Sequence, residues 1–226
     1  GRLLATLDRL RLAENTVVDF TSDNGPETLN RYRGAQRSYG TPGHHRGMKL
    51  WTTEAGVRVP GILRWPGHVA AAKVSSAPVS SLDLLPTFAA LAGAKIPAGR
   101  KLDGTDIRPG FSGGAIPRPQ PLFWVYYNAI NEQRVALRDG PWKLLARLDG
   151  GRLPQFTNID TTSAPAVRSA KLTDFSLYRL TDDPAEARDL AASEPARLRE
   201  LTAKMESLHR ELVTTMHVWP AAPGQP

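Results

Sequence analysis

The chain has 226 residues, of which 41% are hydrophobic and 23% charged, as is typical of a globular protein large enough to bury a core. Its formal charge of +7 comes without a run of five or more basic residues, and no stretch of about 18 apolar residues occurs, so we expect neither a nucleic-acid partner nor a membrane segment. The complete lack of cysteine excludes disulfides, thiolate metal sites and a cysteine nucleophile within these residues.

The first predicted elements are a helix, a turn and a strand. Leucines recur at near-helical spacing from Leu3 to Leu12, and a polar pair at 14–15 ends the segment. The apolar run at 17–20 then predicts a buried strand. Asp19 is out of place in such a strand because an uncompensated buried carboxylate is costly. We expect Asp19 to face a partner, or the strand to be less buried than its neighbours suggest.

Three further elements are predicted before residue 94. Residues 26–48 lack a clear period and indicate a long loop, which in compact domains is often functional. Residues 57–65 are mostly apolar and predict a second strand, interrupted at Pro60-Gly61. Ser80-Ser81 then offers an N-cap for a helix over 82–92.

A stretch rich in glycine and proline, from 94 to 121, separates two regions of different pattern. We predict an α/β domain at 1–117, a second domain at 118–218 and a loose tail at 219–226. Asp139-Gly140 is a strong hairpin signal within the second domain. The strand-like runs that predict a small antiparallel sheet there are 122–127, 134–138, 142–147 and 175–180.

A helix that opens at Ser193-Glu194-Pro195 is predicted to cover this sheet. Its apolar residues follow a 3-4-3-4 spacing, which places them on one stripe of the helix. They are Leu198, Leu201, Met205, Leu208 and Leu212.

The most informative motif is Thr21-Ser22-Asp23-Asn24-Gly25-Pro26. A carboxylate and an amide at the end of a strand place two hard oxygen ligands where open α/β sheets build their sites. A turn whose side chains merely bond the local backbone explains the same residues. The motif alone therefore leaves a metal site and a structural turn both open.

Eight motifs in family order resemble the type I sulfatase family, which belongs to the alkaline-phosphatase-like superfamily, over nearly the whole chain. The resemblance implies the C-terminal part of an α/β sandwich of that superfamily, followed by a small antiparallel sheet packed on a C-terminal helix. The motifs are Thr21-Ser22-Asp23-Asn24-Gly25-Pro26, Arg46-Gly47-Met48-Lys49, Glu54-Ala55-Gly56-Val57-Arg58-Val59-Pro60, Trp65-Pro66-Gly67, Leu82-Asp83-Leu84-Leu85-Pro86-Thr87, Leu102-Asp103-Gly104, Arg138-Asp139-Gly140-Pro141-Trp142-Lys143-Leu144, and Leu177-Tyr178 with Asp183-Pro184-Ala185-Glu186.

The resemblance implies that Asp23 and Asn24 are Ca²⁺ ligands. Their oxygens suit a hard cation, whereas the lack of cysteine and of a paired-histidine spacing disfavours zinc. Lys49 matches the family lysine that contacts the sulfate group, where an ammonium neutralises charge as the S–O bond breaks. His44 and His45 precede this lysine and are candidates to contact substrate or to donate a proton to the leaving oxygen.

Four residues in or near these motifs raise structural questions. Glu54 and Arg58 are expected to form a structural pair that shapes the loop. Ala55 stands where the family usually has glycine, and alanine would cost roughly 1 kcal/mol if the position needs a positive φ. Asp19 replaces a usual apolar residue, so both substitutions are candidates to weaken the site.

The nucleophile of the family, a formylglycine made from Cys or Ser in a Cys/Ser-x-Pro-x-Arg motif of the N-terminal half, has no counterpart before Asp23. A vicinal aspartate pair before Asp23 is also lacking. We therefore expect the C-terminal half of a sulfuric ester hydrolase, which is inactive alone and depends on a missing N-terminal half. The expected substrate is a sulfate ester, with a sulfated sugar as one candidate. Arg31, Arg33 and Arg37 are candidates to favour a polyanionic sugar, although solvated surface charges explain them as well.

Two alternatives stay open. The chain is a non-catalytic truncated product or a partner chain, or it belongs to the phosphoester and phosphonate hydrolases of the same superfamily, which tend to use histidine-rich dimetal sites. Family resemblance implies a periplasmic, secreted or lysosome-like location, although no targeting signal is recognisable in the sequence.

Overall fold

The computed structural model describes residues 1–28 and 40–221, which form two compact units. The first unit comprises 1–23 and 59–121, and the second comprises the described residues of 24–58 and 122–226. The sequence predicted a boundary after residue 117, whereas the structure breaks after 121 and groups 24–58 with the second unit. Among the described residues, no helix is long and apolar enough to cross a membrane.

The first unit contains two α-helices, a two-stranded sheet and three short 3₁₀ turns. The 3₁₀ turns are Ala13–Asn15, Ser81–Asp83 and Arg108–Ser112. The helices and strands, in chain order, are α1 (Arg2–Arg9), β1 (Val18–Thr21), β2 (Gly61–Arg64) and α3 (Leu84–Leu91).

The strands of this unit are more exposed than their sequence indicates. β1 and β2 are antiparallel, with Val18 opposite Arg64, and in the described part of the chain they pair only with each other. Phe20 is 60% and Ile62 59% exposed. The prediction of a buried strand at 17–20 is therefore wrong, and exposure explains how Asp19 is accommodated there. Partial burial still raises the pKa of the Asp19 carboxyl group.

The predicted N-cap at Ser80 is confirmed, but it caps the 3₁₀ turn Ser81–Asp83 that leads into α3, whereas α3 itself begins at Leu84. The Ser80 hydroxyl accepts a hydrogen bond from the Leu82 N–H at 3.3 Å, and the Ser80 N–H donates to Asp83 Oδ2 at 2.7 Å. This reciprocal capping box satisfies N–H groups that a helix start leaves without partners. Asp83 also pairs with the Arg118 guanidinium, so a cap explains this family-matched aspartate.

The second unit is built on a four-stranded antiparallel sheet, which confirms the predicted architecture. Its strand order is β3-β4-β5-β6. The predicted hairpin is confirmed at Gly140, whose φ of 57° is the left-handed conformation that glycine adopts without strain. The elements are α2 (Glu54–Val57), β3 (Leu122–Val125), β4 (Val135–Asp139), β5 (Trp142–Leu148), α4 (Ala164–Ser169), β6 (Leu172–Arg179) and α5 (Pro195–Thr215).

The long helix α5 covers one face of this sheet, as its apolar stripe predicts. Leu201 and Met205 are fully buried, and Leu198 and Leu208 pack at the edge of the same cluster. The sheet contributes Val135, Leu137, Leu144, Ala146 and Leu177. Burying such side chains contributes roughly 1.5–3 kcal/mol each and makes this layer the main hydrophobic core of the unit.

A buried ion cluster attaches α2 to the sheet face opposite to α5. Because side chains alternate along β5, Lys143 points away from the face that α5 covers. Lys143 Nζ lies 2.9 Å from Glu54 Oε1 and 3.0 Å from Glu186 Oε1. Glu186 Oε2 accepts a hydrogen bond from the Glu54 N–H at 2.9 Å. The three residues are at most 1% exposed, so the cluster is sealed from water.

Two arginines at the edge of the ion cluster add positive charge next to the Glu54 carboxylate. Burial opposes its ionisation, but Lys143, Arg138 and Arg58 outweigh burial and lower the pKa of the Glu54 carboxyl group. Arg58 Nη1 lies 3.4 Å from Glu54 Oε2, which confirms the predicted structural pair. The segment 46–58 is thereby held to the sheet by charges as well as by packing.

The end of the chain also contacts this unit. Trp219, the first residue of the predicted loose tail, forms an isolated parallel bridge with Asp160. Its N–H donates to the Ile159 carbonyl at 2.9 Å, and its carbonyl accepts from the Thr161 N–H at 3.0 Å. Residues 222–226 lie outside the described part of the chain.

A second buried polar pair links the sheet region to α5. The Tyr127 hydroxyl and His209 Nε2 share a hydrogen bond of 2.8 Å, and the two residues are 5% and 6% exposed. Burial raises the pKa of Tyr127 and lowers the pKa of His209. Both side chains therefore stay neutral around neutral pH.

Replacing Lys143 by methionine should lower the free energy of unfolding by about 3–5 kcal/mol, because two carboxylates stay buried without their cation. Urea denaturation followed by tryptophan fluorescence measures the loss. Lys204→Met is the matched control, since Lys204 pairs with Asp139 and Glu200 at the surface and should contribute less than about 1 kcal/mol. Equal losses in the two variants would contradict the structural role of Lys143.

Acidification should destabilise the fold through His209. The unfolded histidine titrates near 6.5 and the folded one lower, so this contribution is fully present above about pH 6.5 and is lost as the pH falls towards the folded pKa. Melting temperatures measured between about pH 7.5 and 5.5 should show a shallower pH dependence in His209→Gln than in the wild type. The exposed His217 provides the control, His217→Gln, which should keep the wild-type slope. An unchanged slope in His209→Gln would refute the assignment.

Candidate functional site

The Asp-Asn-Gly turn immediately follows β1. Asp23 is exposed and Asn24 half-buried. Asn24 Nδ2 donates to the Gly25 carbonyl at 2.9 Å, as the structural-turn alternative requires. Because this bond uses the amide nitrogen, the oxygen is the atom of Asn24 that suits a cation.

Gly25 packs directly against α2. Its N–H donates to the Gly56 carbonyl at 3.0 Å. A Cβ at this position would overlap the Ala55 carbonyl oxygen, so the close approach of the two backbones requires glycine. Ala55 is helical and does not have a positive φ. The expected strain from alanine at this position is therefore absent.

The backbone of Lys49 is hydrogen-bonded to the same turn. Its N–H donates a hydrogen bond to the Pro26 carbonyl at 2.8 Å, and Lys49 is half-buried. At the other end of the loop, the Arg46 carbonyl accepts from the Ala55 N–H at 3.0 Å and from Thr53 Oγ1 at 2.7 Å. The structure thus brings Lys49 and the Asn24–Pro26 segment together within the second unit.

The residue after Lys49 is strained. Leu50 has a φ of 69°, a left-handed conformation that costs an L-residue roughly 1–2 kcal/mol. Its carbonyl accepts a hydrogen bond from the Ile130 N–H at 3.1 Å. A strained residue persists where its surroundings over-determine it, and such residues cluster at functional sites.

A buried amide network holds the loop beyond Leu50, and sequence reasoning missed it. Asn131 Oδ1 accepts from the Thr52 N–H at 3.3 Å, and Asn131 Nδ2 donates to Thr52 Oγ1 at 3.1 Å. Thr52 Oγ1 also donates to the Gln133 carbonyl at 3.3 Å. No periodic or motif signal marks Asn131 in the sequence, because its partner is 79 residues away.

The two candidate histidines differ in their surroundings. His45 Nδ1 donates to the Pro184 carbonyl at 3.0 Å, which leaves Nε2 as the nitrogen available for proton transfer. His44 is exposed, and its ring centroid lies 4.3 Å from that of His45. The loop 183–186 that orients His45 also supplies Glu186 to the ion cluster.

Parts of the predicted site have no counterpart in the described structure. The described residues contain no group of three or more His, Asp or Glu side chains arranged to hold a metal. Arg31, Arg33 and Arg37, predicted to favour a polyanionic sugar, lie outside the described residues. The donor set at 23–24 fits a hard cation in type and falls short of the six to eight oxygens that Ca²⁺ takes.

Comparison with known proteins gives consistent matches. The sulfatase family model matches residues 1–94. Arylsulfatase A of Homo sapiens is 40% identical over 195 residues, which are 84% of this chain and 36% of that protein. Steryl-sulfatase of Rattus norvegicus is 41% identical over 129 residues, which are 57% of this chain and 22% of that protein. The chain therefore spans well under half the length of these relatives.

Solved structures agree with the sequence matches. The structure of Ps i-CgsB in complex with k-i-k-neocarrahexaose superposes with a TM-score of 0.71 at 28% identity, over 99% of this chain and 42% of that chain. The shared elements include the mixed α/β first unit, the antiparallel sheet and the C-terminal helix. By family model, sequence similarity and fold, the chain belongs to the sulfatase family.

Proposed function

We propose that this chain supplies the calcium-binding turn and the sulfate-contacting lysine of a sulfuric ester hydrolase. The observation that supports it is the hydrogen bond from the Lys49 N–H to the Pro26 carbonyl. It joins two motifs that match the family and lie 23 positions apart, and it places the lysine backbone beside the Asn24-Gly25 turn.

The roles follow from the chemistry of each group. Asp23 and Asn24 would hold Ca²⁺ through oxygen atoms, and a bound Ca²⁺ would supply positive charge to the sulfate oxygens. Lys49 would neutralise a further sulfate oxygen with a compact, mobile ammonium. His45 has the nitrogen Nε2 available to donate a proton to the leaving oxygen, because the Pro184 carbonyl occupies Nδ1.

The nucleophile and the other metal ligands would come from outside these 226 residues. No cysteine is present, and the one Ser-x-Pro-x-Arg match, Ser193-Glu194-Pro195-Ala196-Arg197, lies at the start of α5 and follows the metal-binding turn instead of preceding it. The chain covers 36% of arylsulfatase A. This chain alone would then be one part of a sulfatase and would not hydrolyse the substrate. Because N-acetylgalactosamine-6-sulfatase of Rattus norvegicus is 38% identical over 130 residues, a sulfated sugar is the substrate class that we propose.

The second candidate is a non-catalytic chain that docks on another polypeptide. It is favoured by the first unit, where the two-stranded sheet exposes Phe20 and Ile62 at 60% and 59%. A two-stranded sheet is marginally stable by itself. Both candidate functions would leave these side chains to be covered by further strands of a sulfatase sheet. A measurement of catalytic activity therefore distinguishes the two candidates.

Calcium binding should depend on the turn. Titration calorimetry of the 226-residue chain is expected to show weak, saturable Ca²⁺ binding that Asp23→Ala reduces at least about tenfold, since a carboxylate ligand is lost. Asp19→Asn, four residues earlier and also exposed, is the control and should bind as the wild type does. A preference for Zn²⁺ or Mn²⁺ would instead support a phosphoester hydrolase.

Turnover should require both Lys49 and the missing part. We expect no hydrolysis of 4-nitrocatechol sulfate by residues 1–226 above that of Asp23→Ala. A chimera in which this chain replaces the matched segment of human arylsulfatase A should be active, and Lys49→Met should lower its kcat/KM by about 10²–10³.

Lys73→Met, which removes an exposed lysine, controls for loss of charge. Turnover by the isolated chain, or full activity of the Lys49→Met chimera, would overturn the proposed role. A folded but inactive chimera would favour the non-catalytic candidate.

A further inference from the structure

The sequence contains a single Asn-Gly pair, and it lies in the turn after β1. Asn24 is the one asparagine that glycine follows. Because glycine has no Cβ, nothing shields its backbone nitrogen from the side-chain amide of the preceding residue. An asparagine in this position loses its amide nitrogen readily in an unfolded chain, a reaction called deamidation.

Deamidation at Asn24 needs water as its co-reactant. A base takes the Gly25 N–H proton, the Gly25 nitrogen bonds to Asn24 Cγ, and the Cγ–Nδ2 bond breaks. Ammonia leaves with a proton that balances the one taken from Gly25. Water then opens the cyclic imide at either of its two carbonyl groups, which leaves aspartate or isoaspartate in place of Asn24.

The fold withholds the attacking nitrogen. Gly25 is buried, and its N–H donates to the Gly56 carbonyl at 3.0 Å. A Cβ on Gly25 would overlap the Ala55 carbonyl oxygen, so the turn packs tightly on α2, and this contact opposes the backbone rotation that ring closure needs. Proton removal therefore requires that Gly25 first separate from α2.

The side chain of Asn24, by contrast, is within reach of water. Asn24 is half-buried, and its Nδ2 donates to the Gly25 carbonyl at 2.9 Å. This bond fixes the orientation of the amide group without sealing it from solvent. The contact between Gly25 and α2 is therefore what separates a reactive pair from a protected one.

The ion cluster holds α2 in its protecting position. Glu54, the first residue of α2, binds Lys143 Nζ through Oε1 at 2.9 Å. Its N–H donates to Glu186 Oε2 at 2.9 Å. Gly56, which accepts the Gly25 N–H, lies in the same short helix. Weakening the cluster should therefore also loosen the contact that covers the Gly25 nitrogen.

We propose that Asn24 is a deamidation site that α2 protects, so that the buried ion cluster sets the lifetime of the Asp-Asn-Gly turn. Reaction occurs when α2 opens, and its rate follows the equilibrium population of the open form. Isoaspartate lengthens the backbone by one carbon, so a turn that has reacted no longer matches the close packing of Gly25 on α2. The inference is independent of the proposed function, because its chemistry needs neither a metal ion nor a sulfate ester.

Peptide mapping by mass spectrometry measures the reaction in the 226-residue chain during incubation at mildly alkaline pH. Asn24 should deamidate at least about tenfold more slowly in the native chain than in the chain unfolded in guanidinium chloride. Lys143→Met should raise the native rate at least about tenfold, since the open form becomes more populated. Lys204→Met, which removes a surface ion pair, is the matched control and should react at the wild-type rate.

Two results of this experiment would overturn the inference. One is deamidation of the native wild type as fast as that of the unfolded chain. The other is an equal rate in Lys143→Met and Lys204→Met. Asn24→Gln identifies the site, because the longer side chain forms the corresponding ring far less readily, and the mass change in this peptide should then disappear.

Hydrogen exchange in the wild type provides a test that does not depend on the folding of Lys143→Met. Exchange of the Gly25 amide and deamidation of Asn24 both require the same N–H to be released to a base in water. In ¹H–¹⁵N spectra the Gly25 amide should exchange slowly. As guanidinium chloride is added below the unfolding transition, its exchange rate and the deamidation rate should rise by the same factor. Rapid exchange at Gly25 together with slow deamidation would contradict protection by α2.

Discussion

The ammonium of Lys143, shared by the carboxylates of Glu54 and Glu186, is the interaction on which the second unit depends. Three ionised groups sealed from water are stable only together, because each removed partner leaves an uncompensated charge. Glu54 starts α2, Lys143 lies on the central strand β5 and Glu186 follows β6. The cluster therefore attaches the segment that carries Lys49 to the sheet.

Two residues of the segments that the ion cluster joins have a strained backbone. Glu186 and Leu50 both have positive φ values, 52° and 69°, and each is held by long-range contacts of its own. Glu186 is held by the ion cluster, and Leu50 by the loop that contains Ile130. Because these contacts hold it at both ends, the loop that contains Lys49 has little conformational freedom. In the function that we propose, this rigidity would help Lys49 to meet a sulfate oxygen, because pre-organised charge needs no rearrangement during reaction.

The two units differ in how complete they are. The second unit buries its sheet on both faces, with α5 on one and α2 with the ion cluster on the other. The first unit has a two-stranded sheet and exposed apolar side chains among its described residues. The chain covers well under half of the relatives that it matches. The chemistry that we propose is divided in the same way, with part of the ligand set and the lysine present and the nucleophile elsewhere.

Local patterns determined much of this protein from the sequence alone. The N-cap at Ser80, the hairpin at Gly140 and the stripe of α5 depend on residues close together in the chain. They are confirmed, except that Leu212 at the end of the stripe is exposed. Ordered motifs likewise indicated the family, with Lys49 and Asp23 as its candidate residues. Tertiary structure alone decided the exposure of β1, the helical backbone of Ala55, and the partners of Lys143 and His45. Those properties depend on groups that are tens of residues apart, and charge pairing and burial across such distances leave no periodic trace in the sequence.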